Sequence, residues 1–166
     1  MTFALSLATL AAGTPSPSPV RTIEPLPDGR FHVTTDGGSV RARHVVMAGG
    51  GYLRGVLPTI ERAMLPIATY VMATEPLGAR IESLIPSRAA IYDTRFAFDY
   101  YRRLYNTRLL WGGRISVRDR KPDEIARFLR RDMLRVYPSL KDARIDFAWS
   151  GLMSYSRHEM PQLGQL

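Results

Sequence analysis

Two tyrosines and an arginine on neighbouring stretches of the chain are the residues best suited to hold an organic molecule. Tyr100 and Tyr101 lie in Asp99-Tyr100-Tyr101-Arg102, and Arg114 closes Leu109-Leu110-Trp111-Gly112-Gly113-Arg114. Aromatic rings enclose an organic substrate, and a guanidinium fork grips a carboxylate at two points. Asn106-Thr107 between them reads as the turn of a hairpin that would set the two stretches side by side, although the usual glycine is missing. Adjacent strand residues face opposite sides, so only one tyrosine of the pair lines any given pocket. Taken alone, these residues favour a plainer account, one tyrosine in the core and solvated arginines, because strands are commonly rich in aromatics.

A second candidate is Gly49-Gly50-Gly51-Tyr52-Leu53-Arg54-Gly55, which comes directly after the apolar run from His44 to Ala48. A dinucleotide fingerprint must open a helix that leads to a further strand. Pro58 and Pro66 interrupt the stretch after Gly55, so a tight turn leaving a buried strand stands level with close approach to a phosphate or adenosine group.

Other chemistry finds little support. Cysteine is absent, which excludes disulfides, thiolate metal sites and cysteine nucleophiles. His32, His44 and His158 are far apart and lack metal-ligand spacing. Ser150-Gly151 and Ser154 have no nucleophile-elbow context, and Glu75, Asp93 and Asp99 show no pairing that would make an acid and a base. No catalytic base, nucleophile or metal ligand is assigned.

The elements that must position these residues are read from periodicity and punctuation. Thr2 to Ala12 reads as a helix ending at Gly13 and the Ser-Pro repeats; with no basic residue before it, it lacks the opening of a secretory signal, and it is too short to span a membrane. Arg21 to Glu24, Arg30 to Thr35 and Ser39 to Arg41, separated by Pro27-Asp28-Gly29 and Asp36-Gly37-Gly38, form an antiparallel meander. His44 to Ala48 reads as a strand buried on both faces. Beyond Pro66 come a strand from Ile67 to Thr74, a short helix from Ala79 to Ile85 and a strand from Ala89 to Asp93. The hairpin strands run from Phe96 to Tyr105 and from Arg108 to Ser116, and Arg144 to Tyr155 is a last strand. Between them Pro122 to Tyr137 is a helix with Ile125, Phe128, Leu129, Met133 and Val136 on one face and Arg127, Arg130, Arg131 and Arg135 on the other. This order predicts an α+β fold with a mixed or antiparallel sheet and one packed helix. Domain boundaries are expected near residues 55 and 155.

Five segments in this order resemble the FAD-dependent oxidoreductases related to D-amino-acid oxidase, in their γ-glutamylputrescine oxidoreductase branch. They are Pro66 to Leu77 with Ala73-Thr74-Glu75-Pro76-Leu77, Asp99-Tyr100-Tyr101-Arg102, Arg108-Leu109-Leu110-Trp111-Gly112-Gly113, Trp149-Ser150-Gly151, and Met160-Pro161-Gln162-Leu163-Gly164. Ser18-Pro19-Val20, the meander and Ala42 to Ala48 resemble the family's passage back into its flavin domain. The resemblance implies that residues 1–55 are a remnant of an α/β FAD-binding domain, 56–155 the substrate domain, and 156–166 a return toward the flavin domain. It implies FAD as cofactor, hydride transfer from a carbon bearing an amine, and an amine or amino-acid substrate. Tyr100 or Tyr101 and Arg114 would contact that substrate; Ala48, Gly49 and Gly50 would approach the dinucleotide, with Pro161 and Gly164 near the flavin. The family's N-terminal glycine-rich turn and C-terminal segment have no counterpart here, so the isolated chain is expected to be an incomplete enzyme, cytoplasmic, with exposed apolar patches and self-association. A non-catalytic binding or regulatory module stays open as the alternative.

Charge raises a third reading. The net charge is +8, and eleven basic against four acidic residues fall between Arg102 and Arg135. Such a footprint suits nucleic acid, but these arginines are interleaved with apolar positions and accompany no recognition motif. We expect nucleic-acid affinity to be weak, indifferent to sequence and steeply lost with salt. Fluorescence anisotropy with labelled oligonucleotides checks this, and sequence-selective binding that persists at physiological salt would overturn it.

Overall fold

The computed structural model describes residues 19–53, 55–118, 120–161 and 164. The expected helix from Thr2 to Ala12 lies outside the described residues. The chain divides into two compact units, Met1–Leu65 with Ser154–Leu166, and Pro66–Met153.

In the first unit, strands β1 (Val20–Pro25), β2 (Phe31–Thr35) and β3 (Gly38–Ala42) form an antiparallel sheet in that order. The first turn has a local cause. Gly29 adopts φ +76°, a conformation other residues avoid, and Asp28 accepts a hydrogen bond from the Arg30 amide at 3.1 Å. Val33, paired with Ile23 and Val40, is the buried centre. The run from His44 to Ala48 corrects the sequence expectation: it forms no strand, and Val46 is 61% exposed. An apolar run becomes a buried strand only when neighbours pair both its edges, and no described residue does so. A 3-10 turn at Gly50–Tyr52 comes next, then a helix, α1 (Pro58–Ala63), which the sequence pattern did not announce. Pro58 begins this helix rather than interrupting it, since the first helical position has no use for an amide hydrogen.

The second unit is built on five strands: β4 (Met64–Thr74), β5 (Ile91–Tyr92), β6 (Tyr100–Arg103), β7 (Leu109–Ser116) and β8 (Ile145–Ser156), in the order β5-β6-β7-β4-β8. Helix α2 (Ala79–Leu84) comes after β4, and helix α3 (Pro122–Val136) links β7 to β8 through a 3-10 turn at Pro138–Leu140. The β6 strand starts at Tyr100, later than the expected Phe96, because Phe96 to Phe98 form a turn in which Ala97 has φ +53°.

The hairpin joining β6 to β7 is closed by a hydrogen bond from the Leu104 amide to the Arg108 carbonyl, leaving the loop Tyr105-Asn106-Thr107. Thr107 takes the left-handed position, φ +59°, where glycine is usual. That conformation costs a non-glycine residue about 1 kcal/mol, and its compensation is visible. The Thr107 carbonyl accepts from the Leu77 amide at 3.0 Å, and its hydroxyl accepts from the Gly78 amide at 3.1 Å.

One face of the five-stranded sheet carries the core. Met72, Leu109, Trp111, Ile125, Leu129, Met133 and Leu140 are fully buried there, with Ile81 of α2. Tyr101 stacks on Trp111 with centroids 4.3 Å apart and planes 2° from parallel, and Tyr137 meets both rings edge-on. Each such pair adds about 0.5–1.5 kcal/mol beyond the area it buries.

Helix α3 is fastened to this sheet by charge as well as by apolar packing. Thr69 pairs with Ile115 but Tyr70 with Gly113, so Arg114 is the extra residue of a β-bulge, with φ +62°. Regular alternation would send Arg114 to the face opposite Gly113. The bulge re-aims it instead, and its Nε and Nη2 donate to Asp132 of α3 at 2.8 and 2.7 Å. Asp132 is 1% exposed, and Arg135 reaches it at 3.3 Å from the neighbouring turn.

This geometry makes the loss of stability asymmetric. Arg114→Ala strands a buried carboxylate with only an exposed arginine beside it, at a cost of about 3–5 kcal/mol, whereas Asp132→Ala frees a half-exposed guanidinium to reach water, at a cost of about 1–3 kcal/mol. Denaturant midpoints of the two variants test this, and equal losses would count against it.

Candidate active site

The register places Tyr100 on the sheet face that α3 does not cover. Tyr100 pairs with Tyr92 and with Gly112, which pairs in turn with Val71, so these four share a face opposite Tyr101, Trp111 and Met72. Gly112 is what seats the Tyr100 ring. A Cβ built there would lie 2.2 Å from Tyr100 Cζ, so no other residue leaves room for the ring. Phe98 meets Tyr100 edge-on at 6.1 Å and Tyr92 at 5.8 Å, extending the aromatic surface. On β8, Ala148 and Leu152 pack toward the core, while Phe147, Trp149 and Met153 are exposed at 56%, 44% and 36%.

The three expected substrate contacts are therefore not brought together. Tyr100 is half-buried on the open face. Tyr101 is held in the Trp111 stack on the other face, and the guanidinium of Arg114 is engaged by Asp132. Gly113 has a partner of its own: a Cβ there would fall 2.3 Å from Asp99 Oδ1. Asp99 is 4% exposed, and Arg95 donates to it at 2.6 Å. Burial raises the Asp99 carboxyl above the usual carboxylate range; the Arg95 hydrogen bond opposes this, and the nearby Asp132 charge reinforces it. Two buried carboxylates thus lie near the two glycines, each held by an arginine.

Sequence reasoning gave neither Asp99 nor Asp132 a role. For Asp132 a signal existed: it falls seven residues after Ile125, on the apolar stripe of α3 rather than among the arginines. A carboxylate at a core position requires a cation within reach, and the facing strand is where such a cation can stand. The environment of Asp99 depends on Gly113 lying opposite, which no local pattern shows.

The expected cofactor contacts lie in the first unit. Ala48 and Gly49 are exposed, and Gly50 opens the 3-10 turn with φ +55°. Ser154 Oγ lies 4.0 Å from where a Gly50 Cβ would stand, so the end of β8 adjoins the glycine turn. Beyond it, Ser156 donates to the Met160 carbonyl at 2.9 Å, and the chain continues to the exposed Pro161 and Gly164. A dinucleotide pyrophosphate is ordinarily held at the start of a full helix. Among the described residues the glycine turn leads only to three residues of 3-10 helix and then to the six-residue α1, so these residues supply no pyrophosphate cradle. Among the described residues no cluster of histidine and carboxylates could hold a metal ion, and no helix is long and apolar enough to cross a membrane.

Comparison with known proteins places these features. The family model described as FAD dependent oxidoreductase (DAO) matches residues 15–166. Gamma-glutamylputrescine oxidoreductase of Escherichia coli (strain K12) is 36% identical over 136 residues, 81% of this chain and 32% of that protein. A probable oxidoreductase OrdL of Haemophilus influenzae is 31% identical over 145 residues, 84% of this chain and 32% of that protein. The chain thus spans about a third of the length of these curated relatives. Among solved structures, glycine oxidase from Bacillus cereus superposes with a TM-score of 0.67 at 23% identity, over 90% of this chain and 40% of that one. L-proline dehydrogenase from P. horikoshii gives 0.66 at 14% identity, over 90% and 41%. The structural likenesses establish an α+β fold shared with these proteins. With nearly its whole length matched, the chain belongs to the DAO family of FAD-dependent oxidoreductases.

Proposed function

We propose that this chain carries the substrate-recognition face of an enzyme that oxidises an amine or amino acid, with amines resembling γ-glutamylputrescine as the preferred class. The observation that carries this reading is the open sheet face, where Tyr100 sits over Gly112 amid the uncovered rings of Tyr92 and Phe98. FAD, when bound, would supply the acceptor for a hydride from the carbon bearing the amine; the amine nitrogen would lose a proton to solvent, and water would hydrolyse the imine to a carbonyl compound and ammonia. The protein's own part is then to bind, orient and dry the substrate. Aromatic faces attract an ammonium group and surround its methylene chain, and the phenol of Tyr100 offers a hydrogen-bond acceptor or donor that fixes the amine's direction.

Within this reading Tyr101 and Arg114 act from behind the sheet. Their contacts with Trp111 and Asp132 hold β6, β7 and α3 in the register that presents Tyr100. We further propose that Ala48, Gly49, Gly50, Pro161 and Gly164 line the dinucleotide, that residues 56–155 serve as the substrate domain between flanking flavin-domain segments, and that the enzyme works in the cytoplasm. The uncovered apolar residues of the second unit support self-association of the isolated chain.

In the FAD-loaded enzyme that contains this chain, stopped-flow reduction of the bound flavin by a primary amine tests the reading. Tyr100→Phe should lower the rate constant at low amine concentration about tenfold, as loss of one orienting hydrogen bond does. Gly112→Ala should do at least as much, because the added methyl displaces the ring. Wild-type rates in both variants, or failure of every amine to reduce the flavin, would sink the proposal.

Residues 1–166 alone should bind no FAD. The purified chain should show no flavin absorbance and no amine-dependent peroxide after incubation with FAD, since the described glycine turn lacks a pyrophosphate cradle. Tight FAD binding with amine turnover would show the cradle to be present after all.

A further inference from the structure

The loop that joins β5 to β6 carries its own ion-pair cluster. From Asp93 to Asp99 it contains two aspartates and a single cation, Arg95. The aspartates meet at the mouth of the loop, where the Asp93 amide donates to the Asp99 carbonyl at 3.1 Å and the Asp99 amide to the Asp93 carboxylate at 3.4 Å. Arg95 bridges the pair: its Nε donates to Asp93 at 2.8 Å and its Nη2 to Asp99 at 2.6 Å. The Arg95 contact holds the Asp93 carboxyl below the usual carboxylate range, whereas burial raises that of Asp99. Without the guanidinium, two like charges would face each other across the mouth.

The backbone at the tip requires such a clasp. Ala97 takes φ +53°, a conformation that a residue with a Cβ keeps only when the surrounding structure over-determines it. The next residue brings the effect to the open face of the sheet. Phe98 is 46% exposed, so the packing that seats its ring against Tyr100 and Tyr92 comes from one side only. A ring packed in this way keeps its place only as well as its backbone does. Asp99 precedes Tyr100 on the strand, and its carboxylate therefore faces away from the Tyr100 ring, into the space that Gly113 leaves. The described side-chain contacts of Arg95 are to the two carboxylates and not to the rings.

Resting on the amine-oxidation reading above, we propose that Arg95 is a positioning residue for amine capture: by clasping Asp93 and Asp99 on one side of the β5–β6 loop, it sets the Phe98 ring against Tyr100 on the other. Arg95 contacts neither substrate nor cofactor in this assignment. It acts through the loop backbone and through Phe98.

The test uses the FAD-loaded enzyme, with hexylamine reducing the flavin in stopped flow. Arg95→Met should lower the rate constant at low amine concentration about tenfold, the scale set by lost orientation. Phe98→Ala should do the same, and the double variant should be no slower than Phe98→Ala alone, because both changes remove one ring contact. Losses that multiply to about a hundredfold would mean that the two residues act independently, and would overturn the proposal. Arg95→Lys, which keeps the charge but cannot fork onto two carboxylates, should recover only part of the rate. It also decides the matter if Arg95→Met does not fold, since a wild-type rate in Arg95→Lys would then overturn the proposal. Independently of turnover, 4-fluorophenylalanine in place of Phe98 should give one sharp fluorine resonance beside an intact Arg95. In Arg95→Lys and Arg95→Met that resonance should broaden and move toward its solvent-exposed position. A resonance identical in all three proteins would also overturn the proposal. If hexylamine does not reduce the flavin while the fluorine resonance still responds to Arg95, the oxidation reading falls and the clasp stands.

Discussion

A single bidentate ion pair, Arg114 on Asp132, ties a strand in the middle of the five-stranded sheet to the one long helix that covers it. Its formation requires a chain of local departures from regularity. The strand must bulge at Arg114, the arginine must accept a left-handed backbone, and the helix must carry a carboxylate on its apolar stripe. None of these is favourable alone. A buried Asp without a cation or an Arg strained without a partner would each destabilise the unit, so the three features are mutually dependent.

The glycine pair beside the bulge extends this arrangement to both faces of the sheet. Gly113 leaves space for Asp99 behind it, and Gly112 leaves space for Tyr100 in front. Two adjacent residues without side chains let one face close over buried charge while the other receives an aromatic ring within one strand's thickness. The two faces are coupled because the same short stretch of β7 serves both. A shift of register by one residue would exchange Tyr100 for Tyr101 and send a stacked core tyrosine to the open side.

Much of this architecture was legible in the sequence, and the parts that were not share a common cause. The meander was announced by Pro27-Asp28-Gly29 and Asp36-Gly37, and α3 by its apolar stripe with Asp123 and Glu124 at its start, all of them local signals. The opposite facing of Tyr100 and Tyr101 came directly from strand alternation. Alternation does not extend to Arg114, because a bulge is decided by the residues across the sheet and on the helix. His44 to Ala48 looked like a buried strand because apolar content is local, whereas pairing is not. Arg102, surrounded in sequence by other arginines, gave no sign that it alone among the hairpin's arginines would lack a carboxylate partner among the described residues. Which cation is satisfied is a tertiary property.

The Thr107 turn matters for handling the protein. Hairpin tips are ordinarily the places where a chain accepts an inserted tag or a graft. This tip is instead a joint, since its carbonyl and hydroxyl hold the Leu77-Gly78 segment that leads into α2. Replacing Thr107 with glycine would relieve the backbone but surrender the hydroxyl's grip, so the substitution that turn rules recommend brings little gain. The Pro27-Asp28-Gly29 turn, exposed and bonded only to its immediate neighbours, is the safer position for an epitope or a fluorescent label.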